Sequence, residues 1–144
     1  MPVLRNQPYG NSNFRVEIDG LTPSNYLEVV LPDLALEIAE YREGTDRSDL
    51  GQKLIVRPRI GNVILRRGFR GEKELYEWWK TNADGNLTRR NVSVVLQDES
   101  RKDVVRWNMN DAIPARLSYS PLDGLDGSPL IETLELTVEN LVLE

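Results

Sequence analysis

Along residues 72–81 the apolar positions Leu75, Trp78 and Trp79 fall at i, i+3 and i+4, with Tyr76 bordering the stripe. That spacing predicts an amphipathic helix, the one segment of the chain with helical periodicity. Burying two tryptophan rings removes about 300–500 Å² from water, an upper bound of roughly 8–12 kcal/mol at about 25 cal/mol/Å². Leu75, Trp78 and Trp79 are therefore expected to anchor the helix in a core, not to hold a ligand.

Elsewhere the pattern alternates. Phe14-Arg15-Val16-Glu17-Ile18-Asp19 sets three apolar residues against three charged ones, as a half-buried strand does, and Gly20 ends it. Segments 26–31 and 36–41 read as two further strands separated by Pro32-Asp33. Residues 42–52 are polar, carry both charge signs and lack periodicity, which predicts a long excursion from the body. Segments 53–59 and 63–67 read as strands meeting at Gly61-Asn62, a dipeptide suited to a tight primed hairpin turn. Pro58 has no N–H for a ladder, so its strand is expected at an edge or at a bulge.

After the helix, Ala83-Asp84-Gly85-Asn86 supplies a stop and a turn. Segments 91–97 and 104–109 predict a hairpin across 98–103, with Val105, Trp107 and Met109 on one face, and 112–118 adds another strand. Residues 131–142 read as one final strand of roughly 40 Å at about 3.3 Å per residue. Leu134, Leu136, Val138 and Val142 share one of its faces; Thr133, Glu135, Thr137 and Glu139 share the other. The sum is a mainly β chain: an antiparallel sandwich or barrel-like domain with one packed α-helix. With 144 residues and no internal repeat or linker, 1–144 reads as a single domain.

Composition narrows the chemistry. The chain has no cysteine and no histidine, which removes thiolate catalysis, disulfides and the commonest general base and zinc ligands. The first eight residues hold no apolar run of signal-peptide length and no later segment could span a bilayer, so the expected compartment is the cytoplasm. A formal charge of −5 argues against general nucleic-acid binding. Local basic clusters at Arg57 with Arg59, at Arg66, Arg67 and Arg70, and at Arg89 with Arg90 are read as solvated faces or subunit contacts.

No motif supplies a reaction. Glu17 with Asp19, and Asp98 with Glu99, are adjacent in sequence but lack the opposed geometry that carboxylate catalysis needs. Gly68-Phe69-Arg70-Gly71 lacks the lysine and spacing of a P-loop. The two Asp-Gly pairs of loop 120–129 depart from EF-hand spacing and read as a plain turn. A face shared with Val105 and Met109 gives Trp107 no part in an RNA-stacking sheet. No cofactor and no metal are expected. What remains is a β-fold with long edges, and unprotected edges in a soluble chain have partners. Self-assembly is the leading physical inference, through heterologous contacts that close into a ring.

The ordered segments 13–21, 63–68, Leu75-Tyr76-Glu77-Trp78-Trp79, 90–98, Trp107-Asn108-Met109-Asn110-Asp111-Ala112-Ile113-Pro114 and 131–141 together resemble the inner tube protein of contractile phage tails and phage-tail-like injection systems, structurally akin to the type VI secretion tube protein. The resemblance runs over nearly the whole chain. It implies the tail-tube fold, hexameric rings whose strands merge into a continuous barrel, and stacking of those rings into a hollow rod. The implied partners are a surrounding sheath, baseplate and terminator proteins, and a lumen cargo of DNA or effector proteins. The implied setting is cytoplasmic assembly into a tail or injection particle.

By the same resemblance, 42–52 matches an extended loop reaching neighbouring subunits, with Arg42, Glu43, Asp46, Arg47 and Asp49 as inter-ring contacts. A conduit should not hold its cargo, so a polar and mostly acidic lumen wall is expected, with Thr133, Glu135, Thr137 and Glu139 as one candidate row. The competing placement puts that row on the outer surface or in a ring contact. A baseplate-proximal initiator copy of the same family, or a secreted ring-forming effector carrier, are the alternative functions.

Overall fold

One strand organises the molecule: β7 (Asp103–Tyr119), 17 residues long. In this computed structural model, which describes residues 4–41, 44 and 51–144, it crosses the whole domain. The first half of β7 pairs with β6 (Arg90–Gln97) on one side and β9 (Asn140–Leu143) on the other. Its second half pairs with β8 (Ile131–Thr137). Around that spine, β1 (Phe14–Ile18) adds to β6, β5 (Val63–Gly68) to β8, and β2 (Glu28–Val30) to β5, all antiparallel. The order is β1-β6-β7-β8-β5-β2, with β9 beside β7. β3 (Leu34–Tyr41) and β4 (Gln52–Ile60) form a separate two-stranded ribbon.

The two halves of the curled sheet face each other across the core. Val16, Val92, Val94 and Met109 enter from one half; Val63, Leu65, Leu134 and Leu136 enter from the other. β7 passes between halves by bending near Asp111, which sits at φ 58°, with register shifts in its pairing to β6 and β8 nearby. The expected break between 104–109 and 112–118 is therefore a bend inside one strand.

Helix α1 (Glu74–Ala83) closes one side of the core through Leu75 and Trp78, each 2% exposed. Glu74 and Glu77 in its first turn and Lys80 in its last complement the helix dipole. The Glu74 carboxylate also accepts from the Thr22 backbone N–H and hydroxyl, tying the helix start to the loop after β1. Gly85, at φ 92°, ends the helix by donating its N–H to the Asn82 carbonyl. Trp78 Nε1 donates to the Thr88 carbonyl at 2.8 Å, so even its polar atom is satisfied. Trp79 departs from expectation: it is 37% exposed and stacks on Tyr76 with ring centroids 6.5 Å apart. One helical face of this width seats a single large ring, and the adjacent tryptophan rotates about 100° away from it.

Two further expectations are corrected. Gly61-Asn62 does not close a hairpin, because β4 pairs only with β3 while β5 inserts between β8 and β2. Long-range burial of Val63 and Leu65 against Leu134 and Leu136 outweighs the local turn signal, and the Gly61 N–H instead donates to Asp33. The expected 131–142 strand is split into β8 and β9 at Val138-Glu139, opposite the bend of β7. There the Glu139 N–H donates to the Asn110 carbonyl. Pro58 lies on the ribbon beside a bulge, between the pairs Glu37↔Arg57 and Ile38↔Ile55.

Candidate assembly surface

The β3–β4 ribbon is amphipathic. In its register, Leu34 opposes Ile60, Leu36 opposes Pro58 and Ile38 opposes Ile55, which puts six apolar residues on one face. On the other face, Arg57 and Arg59 both pair with the Glu37 carboxylate. Leu34, Leu36, Ile38 and Ile55 are 52–66% exposed, and neither strand pairs with the main sheet. The uncovered apolar surface is on the order of 500 Å², at the upper end of what a monomer leaves open. A lone two-stranded ribbon is also marginal in water. Both facts mark a surface made to be covered.

At the root of the ribbon lies a cleft of about 520 Å³ lined by Leu34, Leu36, Pro58, Ile60, Val138 and Leu141. At the far end of β8, the loop between Tyr119 and Ile131 holds Leu122 and Leu125 almost fully in solvent. The Asp123 side chain accepts from the Leu125 N–H at 2.9 Å, and the Asp126 N–H reaches the Asp123 carbonyl, so the loop is internally braced. This is the plain-turn geometry expected of its Asp-Gly pairs.

The expected inter-ring residues Arg42, Glu43, Asp46, Arg47 and Asp49 lie outside the described residues. The expected lumen row is placed differently from a run of four. Thr133, Glu135 and Thr137 do alternate on β8 against the inward Glu132, Leu134 and Leu136. Glu139 falls in the break after β8 and forms an ion pair with Arg89. Nor is the face mostly acidic: across the register Thr133 meets Arg66 and Ser118, and Glu135 meets Arg116. Arg66 in turn pairs with Glu28, and Asn62 donates to Glu135 at 3.0 Å. The arginines come from neighbouring strands, which the β8 sequence by itself does not display.

The outward face of the other half is a second ionic lattice, which sequence adjacency concealed. Arg15 on β1 forks onto Asp103 at 3.1 and 2.9 Å and also reaches Glu17, which Arg106 on β7 contacts. Arg15, with help from Gln97, pulls the Asp103 carboxyl down to about 2; Arg106, then Arg15, lower Glu17. Alternation along β1 and β7 carried the signal, because Arg15, Glu17 and Arg106 all stand at outward positions. Most of the basic residues flagged in the sequence are engaged within the chain: Arg57 and Arg59 with Glu37, Arg66 with Glu28, Arg67 with Glu132, Arg89 with Glu139, and Arg90 with the Asp19 carbonyl.

A curled antiparallel sheet with one docked helix, polar outer faces and an uncovered apolar arm defines a protein that completes its surface against other protein. Its class is a structural tube subunit, and residues 10–142 match the family model of the T4-like virus tail tube protein gp19. The chain belongs to that family: it is a tail tube protein of the contractile-tail type, a structural component and not an enzyme. No curated protein matches its sequence.

Solved structures share the fold. A chain in the anti-feeding prophage baseplate superposes with TM-score 0.83 at 20% identity, covering 97% of both chains. A chain in the sheath-tube complex of an extracellular contractile injection system, PVC, in its extended state gives 0.84 at 19% identity, covering 96% of this chain and 93% of the other. Hcp1 from Flavobacterium johnsoniae gives 0.63 at 21% identity, covering 90% and 93%.

Proposed function

We propose that this chain forms hexameric rings that stack into the hollow inner tube of a contractile particle. The observation that carries this is the β3–β4 ribbon, whose apolar face is left more than half exposed by the described residues of its own subunit. Membership of a tube-protein family supports a neighbouring tube subunit as the cover. The similar folds in a sheath-tube complex, a tube terminator, a tube-terminating cap and a baseplate support a sheath around the tube and dedicated proteins at its ends.

The tube wall facing the lumen is assigned to the outward side of β8 and its neighbours, where Thr133 and Glu135 stand among Arg66 and Arg116. Alternating charge of this kind leaves no excess of cations to grip DNA through counterion release.

Negative-stain imaging of the purified protein at rising concentration tests the reading. Sixfold rings that stack into rods are expected. A compact lone subunit at every concentration overturns it. Glu135→Lys is expected to leave rings intact and slow cargo passage; loss of rings would move β8 from the lumen into a subunit contact.

A further inference from the structure

The two most exposed leucines of the loop and the apolar cleft at the root of the ribbon lie at opposite poles of one strand. The loop feeds the first residue of β8, and Val138 and Leu141 of the cleft follow its last. Seven residues at about 3.3 Å each set the two features roughly 23 Å apart. The loop is anchored at both ends, to β7 and to β8, so it cannot reach its own cleft.

We propose that Leu122 and Leu125 of one copy seat in the cleft of the next copy along the tube axis. This rests on the stacked-tube reading above and assigns its axial contact to named residues. Three observations converge on a second copy as the occupant. Leu122 is 88% and Leu125 99% exposed, on a loop stiffened by Pro121, Pro129 and the Asp123 turn, so docking costs little ordering entropy. The cleft, about 520 Å³, has an apolar floor of Leu34, Leu36, Pro58, Ile60, Val138 and Leu141 under a polar rim of Arg59, Glu139 and Asn140, and is large enough to take both side chains.

The charges also match. The loop carries Asp123 and Asp126 and no basic residue. At the cleft rim Arg59 shares the single Glu37 carboxylate with Arg57, leaving excess positive charge, while Glu139 is held by Arg89. Because knob and hole are different surfaces at opposite poles, the contact repeats without closing on itself, as stacking requires.

The chain has no cysteine, which makes cross-linking a clean test. A chain carrying both Leu125→Cys and Leu36→Cys, assembled and then oxidised, is expected to give a disulfide ladder extending beyond six copies on a non-reducing gel. A ladder that stops at six or fewer places the contact within a ring and overturns the proposal. Rods that form from both the wild type and the double-cysteine chain, with no such cross-link in the latter, also overturn it, and leave the stacked-tube reading standing. Wild-type protein that never forms rings or rods removes that reading and this one together. As a second variant, Leu122→Asp with Leu125→Asp alters only solvent-facing positions of the lone subunit. Rings are expected to persist and rods to be lost; unchanged rods refute the assignment.

Discussion

Arg67 and Glu132 stand directly opposite each other across β5 and β8, with Arg67 Nε donating to Glu132 Oε1 at 2.8 Å and both side chains sealed from solvent. They occupy the inward positions that continue Val63-Leu65 on one strand and Leu134-Leu136 on the other. Tyr26 lies beside the pair, its ring centre 5.7 Å from the guanidinium carbon, and burial raises its phenol.

Removing one partner strands a charge in the core. Glu132→Ala is expected to destabilise the subunit by about 3–5 kcal/mol, whereas the double change Arg67→Met with Glu132→Leu should be neutral or stabilising by about 1–4 kcal/mol. Urea unfolding of dispersed subunits measures both. Equal losses in the single and double variants would mean that the pair's hydrogen bonds, not its desolvation, dominate.

The neighbouring tryptophans should separate in the same assay. Trp78→Ala opens a cavity under the helix and leaves the Thr88 carbonyl with its longer 3.3 Å bond from Asn82, so a cost of about 3–5 kcal/mol is expected. Trp79→Ala removes only a surface stack on Tyr76 and should cost under about 1 kcal/mol.

Substituting the outer half of the ribbon separates folding from assembly. Ile38→Asp or Ile55→Asp is expected to leave subunit stability within about 0.5 kcal/mol, because both side chains already face water. Sedimentation should show the loss of higher species. A large drop in stability with assembly intact would contradict the role given to this face.

Acid titration reports on the lattice joining β1 to β7. Asp103 is depressed in the folded state from an ordinary 3.8 to about 2, through Arg15 first and Gln97 second. A depressed carboxyl adds stability that is complete above its unfolded value and is lost as pH falls through its folded one. The window is therefore about pH 4 down to pH 2. The carboxyl-carbon resonance of Asp103 should show a midpoint near 2 in the wild type and move toward 3.8 in Arg15→Ala. Because the pair is exposed, the stability difference near neutral pH stays within about 1 kcal/mol.

Much of the fold was legible because half-buried strands announce themselves by alternation: β1, β6 and β8 begin where Phe14, Asn91 and Ile131 led one to expect, within a residue. Apart from Trp79, turned away by the pitch of its own helix, the misreadings share a cause, namely long-range pairing that no local window contains. Gly61-Asn62 has hairpin chemistry, but Val63 and Leu65 gain more by packing against β8. Glu132 fits the inward parity of Leu134 and Leu136, yet its charge hides it until Arg67 is seen opposite. The candidate wall was visible as alternation along β8, and its mixed charge was not, since Arg66 and Arg116 come from elsewhere in the chain. The ribbon's apolar face required register: the bulge beside Pro58 shifts parity, so counting by twos along β4 mixes its two faces.

The unbroken run of β7 also has a mechanical meaning. β9 and β8 follow one another along a single flank of it, so a thrust directed along the strand loads many interstrand bonds sideways and simultaneously, instead of peeling them singly from one end. The covalent backbone at Asp111 passes such a load from one half of the sheet to the other without a seam.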